Sequence, residues 1–195
     1  MPTEKFTFEG HSGHDLAARL DLPDGPHLAT ALFAHCFTCG KDIAAARRIA
    51  ARLTGLGIAV LRFDFTGLGH SEGEFANTDF TSNVQDLKAA CDALGDRGMS
   101  PSLLIGHSLG GSAVLKAAAQ MDQIRAVATI GAPRDPAHVT QNFGAAVETI
   151  REAGTAEVNL AGRPFRIGRD FLEDVAETRL ADDIASLGAA LLVLH

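Results

Sequence analysis

The stretch of residues 102–119 constrains the fold most, because it passes from an apolar run through a glycine-rich turn to a run of small residues. It opens with Leu103-Leu104-Ile105, a short apolar run typical of a buried strand. Gly106-His107-Ser108-Leu109-Gly110-Gly111 follows, and residues 112–119 are mostly small or apolar residues that favour a helix. The stretch therefore predicts a strand, a tight turn and a helix, with a serine at the turn.

The glycines of this turn suit a sharp bend. Such a bend strains the backbone of Ser108, and a Cβ at Gly106 or Gly110 would collide with the adjoining strand or helix. The serine hydroxyl would stand at the carboxyl end of the strand, where free N–H groups of the helix face developing negative charge. Gly-x-Ser-x-Gly between a strand and a helix is typical of a nucleophile elbow. His107 is expected to point away from the serine hydroxyl.

Composition limits the remaining classes of function. The chain has 195 residues, 46% of them hydrophobic, which is enough for one domain with a full core. Its net charge of −7 argues against a nucleic-acid surface, and no apolar run is long enough for a membrane span. The first residues lack a signal-peptide pattern, and three cysteines do not suggest a disulfide framework. We therefore expect a cytoplasmic protein that binds neither nucleic acid nor membrane.

Strands and helices alternate along most of the chain. This order predicts an α/β fold with a mostly parallel sheet and helices on both faces. Besides the central strand, strands are predicted at residues 5–9, 16–22, 30–34, 58–63, 124–130 and 189–194, the first two as an antiparallel hairpin. Helices are predicted at residues 41–56, from a capping box at Ser82 to near Gly95 or Gly98, and after the elbow.

Residues 132–187 interrupt this alternation. They predict a helix at 145–153, a small hairpin at 158–167 and a short helix at 171–177. An irregular insertion on the side where the elbow opens is a candidate lid. Ordinary crossover packing explains the same pattern equally well, so both interpretations stay open. In either case residues 1–195 are expected to form one domain with this small insertion.

Three motifs together resemble those of the α/β-hydrolase superfamily. The elbow is the first. Residues 35–42 (His-Cys-Phe-Thr-Cys-Gly-Lys-Asp) are similar to its oxyanion loop, with Cys36 where glycine is usual, and residues 62–73 are similar to its Gly-x-Gly-x-Ser loop. The chain resembles serine-aminopeptidase-like and esterase-like members, and also the hydrolase half of bacterial proteins in which an OsmC (osmotically inducible protein C) domain follows. The resemblance implies an α/β-hydrolase fold.

The resemblance also implies a mechanism. Ser108 would be the nucleophile that accepts an acyl group from a small-molecule substrate. The N–H groups of Phe37 and Leu109 would form the oxyanion hole. An ester, a thioester and an amide would all suit this machinery, and no cofactor or metal is required. Such a chain would be a serine hydrolase.

The rest of a catalytic triad is not evident. In the family the order is Ser, then Asp or Glu, then His. Asp135 is a candidate acid, although a surface-turn aspartate is the simpler interpretation, and His35 and His70 are interpreted as a structural and a solvated histidine. The strand at 189–194 would be an uncovered edge. We therefore expect a hydrolase core that is incomplete at its C-terminus, truncated before the last strand, with the acid and the base in residues after His195 and with weak or no activity of its own.

Two other functions stay open. Without a base, the chain could be a non-catalytic hydrolase scaffold that binds a small acyl ligand or a partner domain. Alternatively, Cys36 and Cys39 form a Cys-x-x-Cys between a strand and a helix, which is where a thioredoxin-like redox dithiol lies. Cys91 is expected in the core, and a four-ligand zinc site is not visible.

Overall fold

The computed structural model describes residues 2–195. Strands alternate with helices over most of that range, as the sequence predicts. The strands are β1 (Thr3–Glu9), β2 (Asp15–Asp21), β3 (Ala29–Ala34), β4 (Ile58–Phe63), β5 (Leu103–His107), β6 (Ala126–Ile130), β7 (Thr155–Leu160), β8 (Arg163–Gly168) and β9 (Ala190–Leu194). The helices are α1 (Ala44–Thr54), α2 (Phe80–Asp96), α3 (Leu109–Ala118), α4 (Ala146–Ala153), α5 (Arg169–Glu177) and α6 (Leu180–Ala185).

Seven of the strands form one sheet in the order β1-β2-β4-β3-β5-β6-β9. The antiparallel hairpin β1–β2 joins β4, and β4, β3, β5, β6 and β9 run parallel to one another. The carboxyl ends of these five strands therefore meet at one edge of the sheet. Ser108 follows β5 at that edge, next to the loop that follows β3.

Both faces of the sheet are covered because the side chains of the central strands alternate. Ala31 and Phe33 pack with Ala46 and Ala50 of α1 on one face. Leu32, between them, belongs to the larger core on the other face, which α2 and α3 cover. Each central strand is thus apolar on both sides. The predicted mostly parallel sheet with helices on both faces is confirmed.

The helix boundaries differ from the prediction at several ends, and hydrogen bonds explain the differences in α1 and α2. Helix α2 begins earlier than expected, because Asp79 rather than Ser82 is its N-cap. The Asp79 carboxylate accepts from the Ser82 N–H at 2.6 Å, and the Ser82 hydroxyl lies 2.9 Å from the Asp79 N–H, so Ser82 is the third helical residue of the capping box. Helix α1 is shorter than predicted, because Lys41 and Asp42 pair with side chains outside the helix.

The insertion at 132–187 contains a 3-10 helix (Pro136–Phe143), α4, the hairpin β7–β8, α5 and α6. It packs on the loop after β3 through aromatic rings. The ring centroid of Phe37 lies 4.8 Å from that of Phe171 and 6.0 Å from that of Phe143. The Arg163 guanidinium also donates a hydrogen bond to the Thr38 carbonyl. The insertion therefore closes against the carboxyl edge of the sheet, beside the elbow.

Strand β9 lies at the edge of the sheet and pairs only with β6 among residues 2–195. All five of its residues are exposed, although its sequence is the continuous apolar run of a covered strand. Its side chains include Leu192 and Val193, which are 55% and 63% exposed. Within the described range, no helix is long and apolar enough to cross a membrane.

Candidate active site

The elbow has the strained backbone that its sequence predicts. Ser108 has φ 53° and ψ −126°, and it is one of only two non-glycine residues with positive φ in the described range. Its N–H donates to the Ile130 carbonyl at 2.9 Å, which fixes the bend against β6. Its side chain makes no capping hydrogen bond to α3. The neighbouring structure therefore holds a strained residue whose hydroxyl is not used for helix capping.

The glycines of the elbow are required by close backbone contacts. A Cβ on Gly106 would overlap the Gly110 carbonyl and the Gly111 Cα, and a Cβ on Gly110 would overlap the His35 and Ala34 carbonyls. The first contact sets the distance between β5 and α3. The second presses α3 against the end of β3, so the elbow and the loop after β3 form one rigid unit.

The Ser108 side chain lines a cavity of about 710 Å³ at the carboxyl edge of the sheet. This volume is within the range of small-molecule sites. The other lining residues come from the turn after β6, the 3-10 helix of the insertion and the end of the chain. They are Leu109, Gly131, Ala132, Pro133, Arg134, Asp135, His138, Val139, Asn142 and His195.

The two expected oxyanion donors lie on neighbouring loops, and of the two only Leu109 lines the Ser108 cavity. Leu109 is the first residue of α3, so its N–H has no partner within the helix. The Phe37 N–H donates to no backbone carbonyl among residues 2–195. Phe37 follows β3 and Leu109 follows β5, and these strands are neighbours paired from Ala31 to Ala34. The fold therefore brings both N–H groups to the same end of the sheet.

A buried ion pair fixes the other end of the loop after β3. The Asp64 carboxylate, at the end of β4, accepts from the Lys41 ammonium at 2.5 Å and from the Lys41 N–H at 2.6 Å. It also accepts from the His70 N–H at 3.0 Å. Burial alone would raise the pKa of Asp64, but these hydrogen bonds and the Lys41 charge lower it below its usual value. Asp64 therefore remains ionised and holds Lys41 in place.

His35 is a structural residue of the same loop. Its ring is buried; Nδ1 donates to the Cys36 carbonyl at 2.8 Å, and Nε2 accepts from the Phe65 N–H at 3.4 Å. This arrangement requires the neutral ring with its proton on Nδ1. Burial lowers the pKa of His35 to about 4. Because both ring nitrogens are occupied, His35 braces the loop and is not available to Ser108.

The lowered pKa of His35 makes the stability of the protein depend on pH. The unfolded chain takes up a proton below pH 6.5, whereas folded His35 resists protonation down to about pH 4. Stability is therefore lost as the pH falls through this window, by about 3 kcal/mol in total. We expect urea unfolding to show this slope in the native protein and to show less of it in His35→Asn.

His70→Asn is the matched control for that experiment, because the His70 side chain is 80% exposed. This variant should keep the native slope between pH 6.5 and pH 4. Equal slopes for His35→Asn and the native protein would contradict the assignment of His35 as a buried neutral histidine.

Two observations on Asp135 support different roles, one as a catalytic acid and one as the cap of a turn. It lines the Ser108 cavity, which fits the candidate acid. However, it is exposed, and its carboxylate accepts from the Ala137 N–H at 2.9 Å as the N-cap of the 3-10 helix. The Asp135 carbonyl accepts from the His138 N–H at 3.0 Å, but no histidine side chain among residues 2–195 is hydrogen-bonded to the Asp135 carboxylate. Its observed bond is therefore that of a turn aspartate at the rim of the cavity.

The histidines near the elbow do not form a triad with Ser108. His107 is half-buried, and its Nδ1 is buried without a hydrogen-bond partner among residues 2–195. His138 and His195 both line the cavity, a position of His138 that the sequence does not predict. Within the described range, neither side chain is hydrogen-bonded to Ser108. His138 reaches the cavity because the chain after β6 turns back over the elbow, which a local sequence pattern does not reveal.

Cys36 and Cys39 form a disulfide within the loop after β3. The thioredoxin-like interpretation required a helix to begin at this pair, but α1 begins only at Ala44. The two sulfurs therefore do not lie at a helix N-terminus. Cys91 is buried in the core as predicted, and burial raises its pKa to about 12. No cluster of three or more metal-binding side chains is found in residues 2–195.

Comparison with known proteins supports this description. A family model described as serine aminopeptidase, S33, matches residues 29–159. The solved esterase domain of a Rhodothermus marinus protein is 49% identical, with a TM-score of 0.77 over 99% of this chain and 75% of that domain. Est1E from Butyrivibrio proteoclasticus, solved with ferulic acid bound, is 22% identical with a TM-score of 0.83, over 97% of this chain and 78% of that chain, which shows likeness of fold.

The chain also matches a curated mammalian protein over part of its length. Palmitoyl-protein thioesterase ABHD10, mitochondrial, from Mus musculus is 35% identical over 98 residues, which are 50% of this chain. The match spans about a third of that relative's length (32%). The solved structure of the mouse protein has a TM-score of 0.73 at 21% identity, over 98% of this chain and 89% of that chain.

Proposed function

We propose that this chain, which belongs to the serine aminopeptidase S33 family of α/β hydrolases, is a serine hydrolase acting through an acyl-enzyme on Ser108. Its substrate would be a carboxylic ester, a thioester or an amide of a small acyl group. The observation that carries the proposal is the backbone of Ser108, a non-glycine residue with φ 53° whose side chain lines the cavity. Strain of this kind clusters at active sites, where the surrounding structure holds it in place.

In the proposed reaction the Ser108 Oγ attacks the substrate carbonyl carbon while a base takes its proton. The carbonyl oxygen becomes an oxyanion, to which the N–H groups of Phe37 and Leu109 would donate. Each such donor stabilises the transition state by about 3–4 kcal/mol in comparable sites. Collapse of the intermediate expels the alcohol, thiol or amine, and water then hydrolyses the acyl-enzyme by the same steps.

We propose that the base and the acid lie in residues after His195. Two observations support this: the apolar strand β9 is exposed, and the chain spans 75% of the R. marinus esterase domain. Asp135 remains the alternative acid, because it lines the cavity. From the resemblance we also propose an OsmC-like domain further along the chain. The proposed compartment is the cytoplasm.

An ester is the substrate class that the relatives favour. The more similar of two relatives is the 49% identical esterase domain, whereas the mammalian thioesterase is 35% identical over half of this chain. The cavity has a mixed lining, with Val139 and Pro133 beside Arg134 and Asn142. Such a lining suits a short acyl group near polar atoms better than a long alkyl chain.

The test compares residues 1–195 with a form extended beyond His195, using p-nitrophenyl butyrate, a butyryl thioester and an alanine p-nitroanilide. We expect the extended form to hydrolyse the ester fastest and residues 1–195 to be weak. Full-rate hydrolysis by residues 1–195 would contradict the proposed position of the base. Absence of hydrolysis of all three substrates by the extended form would contradict the enzyme itself.

One observation favours a second candidate function. No histidine side chain is hydrogen-bonded to Ser108 in the described part of the chain, and a serine without a base is a poor nucleophile at neutral pH. Residues 2–195 alone could therefore bind a small acyl ligand or a partner domain without turnover. Saturable binding of butyrate with no hydrolysis by either form would favour this scaffold function.

A further inference from the structure

We propose that Cys36 and Cys39 are a reversible thiol–disulfide site that controls the oxyanion loop, here defined as residues 36–39. The inference rests on the proposed function, because it assigns a regulatory role to the loop that carries the Phe37 N–H. Reduction of the disulfide would slow hydrolysis at Ser108, and oxidation would restore it.

The pair is placed for reversible chemistry. The Cα atoms of Cys36 and Cys39 are 5.2 Å apart, within the usual range for a disulfide. Both residues are half-buried rather than enclosed in the core, as exchange with small thiols requires. The Cys39 N–H donates to the Cys36 carbonyl at 3.0 Å, which closes a turn around Phe37 and Thr38.

The turn links the elbow to the insertion. On one side, the His35 ring donates to the Cys36 carbonyl, and the His35 carbonyl lies against Gly110 of the elbow. On the other side, the Arg163 guanidinium donates to the Thr38 carbonyl, and the Phe37 ring packs on Phe171. A change in the conformation of this turn would therefore move the Phe37 N–H and alter the contact with the insertion.

The exchange reaction balances with low-molecular-weight thiols of the glutathione class. One thiolate attacks a sulfur of the pair, breaks the S–S bond and forms a mixed disulfide. A second thiol displaces the protein thiol and leaves as the small-molecule disulfide. Two small thiols are thus oxidised, and Cys36 and Cys39 become thiols; oxidation by the small-molecule disulfide runs the same steps in reverse.

In the proposal, the Phe37 N–H is held in position for the oxyanion when Cys36 and Cys39 form the disulfide. In the oxidised protein, the disulfide and the bond from the Cys39 N–H to the Cys36 carbonyl both close the turn that contains Phe37. After reduction, only that hydrogen bond closes the turn. Complete loss of one oxyanion donor slows comparable enzymes by about 10²–10³-fold. Because the loop stays anchored at both ends, we expect a smaller decrease of about 10-fold in turnover on reduction.

The experiment equilibrates the active form of the protein in glutathione buffers from oxidising to reducing. Each sample is alkylated with iodoacetamide for peptide mass spectrometry and assayed with p-nitrophenyl butyrate. We expect Cys36 and Cys39 to become alkylated together as turnover falls about 10-fold. Buried Cys91 should stay unlabelled in the native protein.

Two variants make the result specific. Cys36→Ser/Cys39→Ser should hydrolyse at the reduced rate in every buffer. Cys91→Ala is the matched control, because it removes the third cysteine without touching the loop, and it should keep the redox response. Free thiols at positions 36 and 39 in every buffer, or constant turnover through the reduction, would overturn the inference.

Hydrogen exchange separates this inference from the proposed function. The Cys39 amide should exchange faster after reduction, because its bond to the Cys36 carbonyl is no longer held by the disulfide. If no form of the protein hydrolyses any ester, the proposed function and the coupling to it both fail. If hydrolysis is present and exchange at Cys39 is unchanged by reduction, only the inference fails.

Discussion

Ser108→Ala is expected to lower ester turnover on the order of 10⁵-fold in the active form of the protein, with little loss of stability. The hydroxyl is the proposed nucleophile, so its removal leaves only the oxyanion donors and substrate binding. The helix does not depend on that oxygen, because the Ser108 side chain makes no capping bond to α3. Initial rates with p-nitrophenyl butyrate and urea unfolding measure the two effects.

Ser186→Ala is the matched control for this experiment. Its hydroxyl is exposed and donates only to carbonyls of the preceding turn, 2.9 Å from that of Asp182, so turnover should stay within a factor of two or so. A Ser108→Ala protein that remains folded and retains even a tenth of the native turnover would contradict the role of Ser108.

Lys41→Met is expected to destabilise the protein by about 3–5 kcal/mol at pH 7, because it leaves a buried carboxylate without its cation. The Lys41 and Asp64 side chains are 6% and 2% exposed. Methionine keeps most of the side-chain length, so the loss is mainly that of the ammonium group. The measurement is the free energy of unfolding in urea.

The pH dependence of that variant follows from the lowered pKa of Asp64. In the native protein the ion pair contributes stability above the unfolded pKa near 3.8, and this contribution is lost as the pH falls through the lower folded value. In Lys41→Met the penalty should shrink on acidification, since protonation removes the uncompensated charge.

Lys116→Met provides the comparison with a partly exposed pair. Lys116 and Asp183 are 2.8 Å apart, but their side chains are 32% and 18% exposed. Such pairs contribute about 0–1 kcal/mol. If Lys41→Met costs no more than Lys116→Met, the buried pair does not hold the loop after β3 in place.

The elbow could be predicted from sequence because its determinants are local. A short apolar strand, two glycines flanking the serine and a small-residue helix all lie within residues 102–119. The structure places β5, the positive φ of Ser108 and α3 in that order. Strand β4 was predicted with the same bounds that are observed, since a buried apolar run between turn residues has few alternatives.

Features set by distant residues could not be predicted in the same way. The residues 41–43 continue the helical pattern, but Lys41 is held by Asp64 and Asp42 by Arg62, so α1 starts later. In α2, Asp79 and Ser82 are both good N-caps, and only the reciprocal bonds show which residue caps the helix. His138 and Asn142 reach the cavity through the path of the insertion, which no periodicity encodes.

The most direct test of the central claim is active-site labelling with a fluorophosphonate, mapped by peptide mass spectrometry on the active form of the protein. The reagent phosphonylates serines activated as nucleophiles. We expect a single modified site, Ser108, and no modification of Ser108→Ala. Modification of a different serine, or none in a sample that hydrolyses p-nitrophenyl butyrate, would contradict the assignment of Ser108 as the nucleophile.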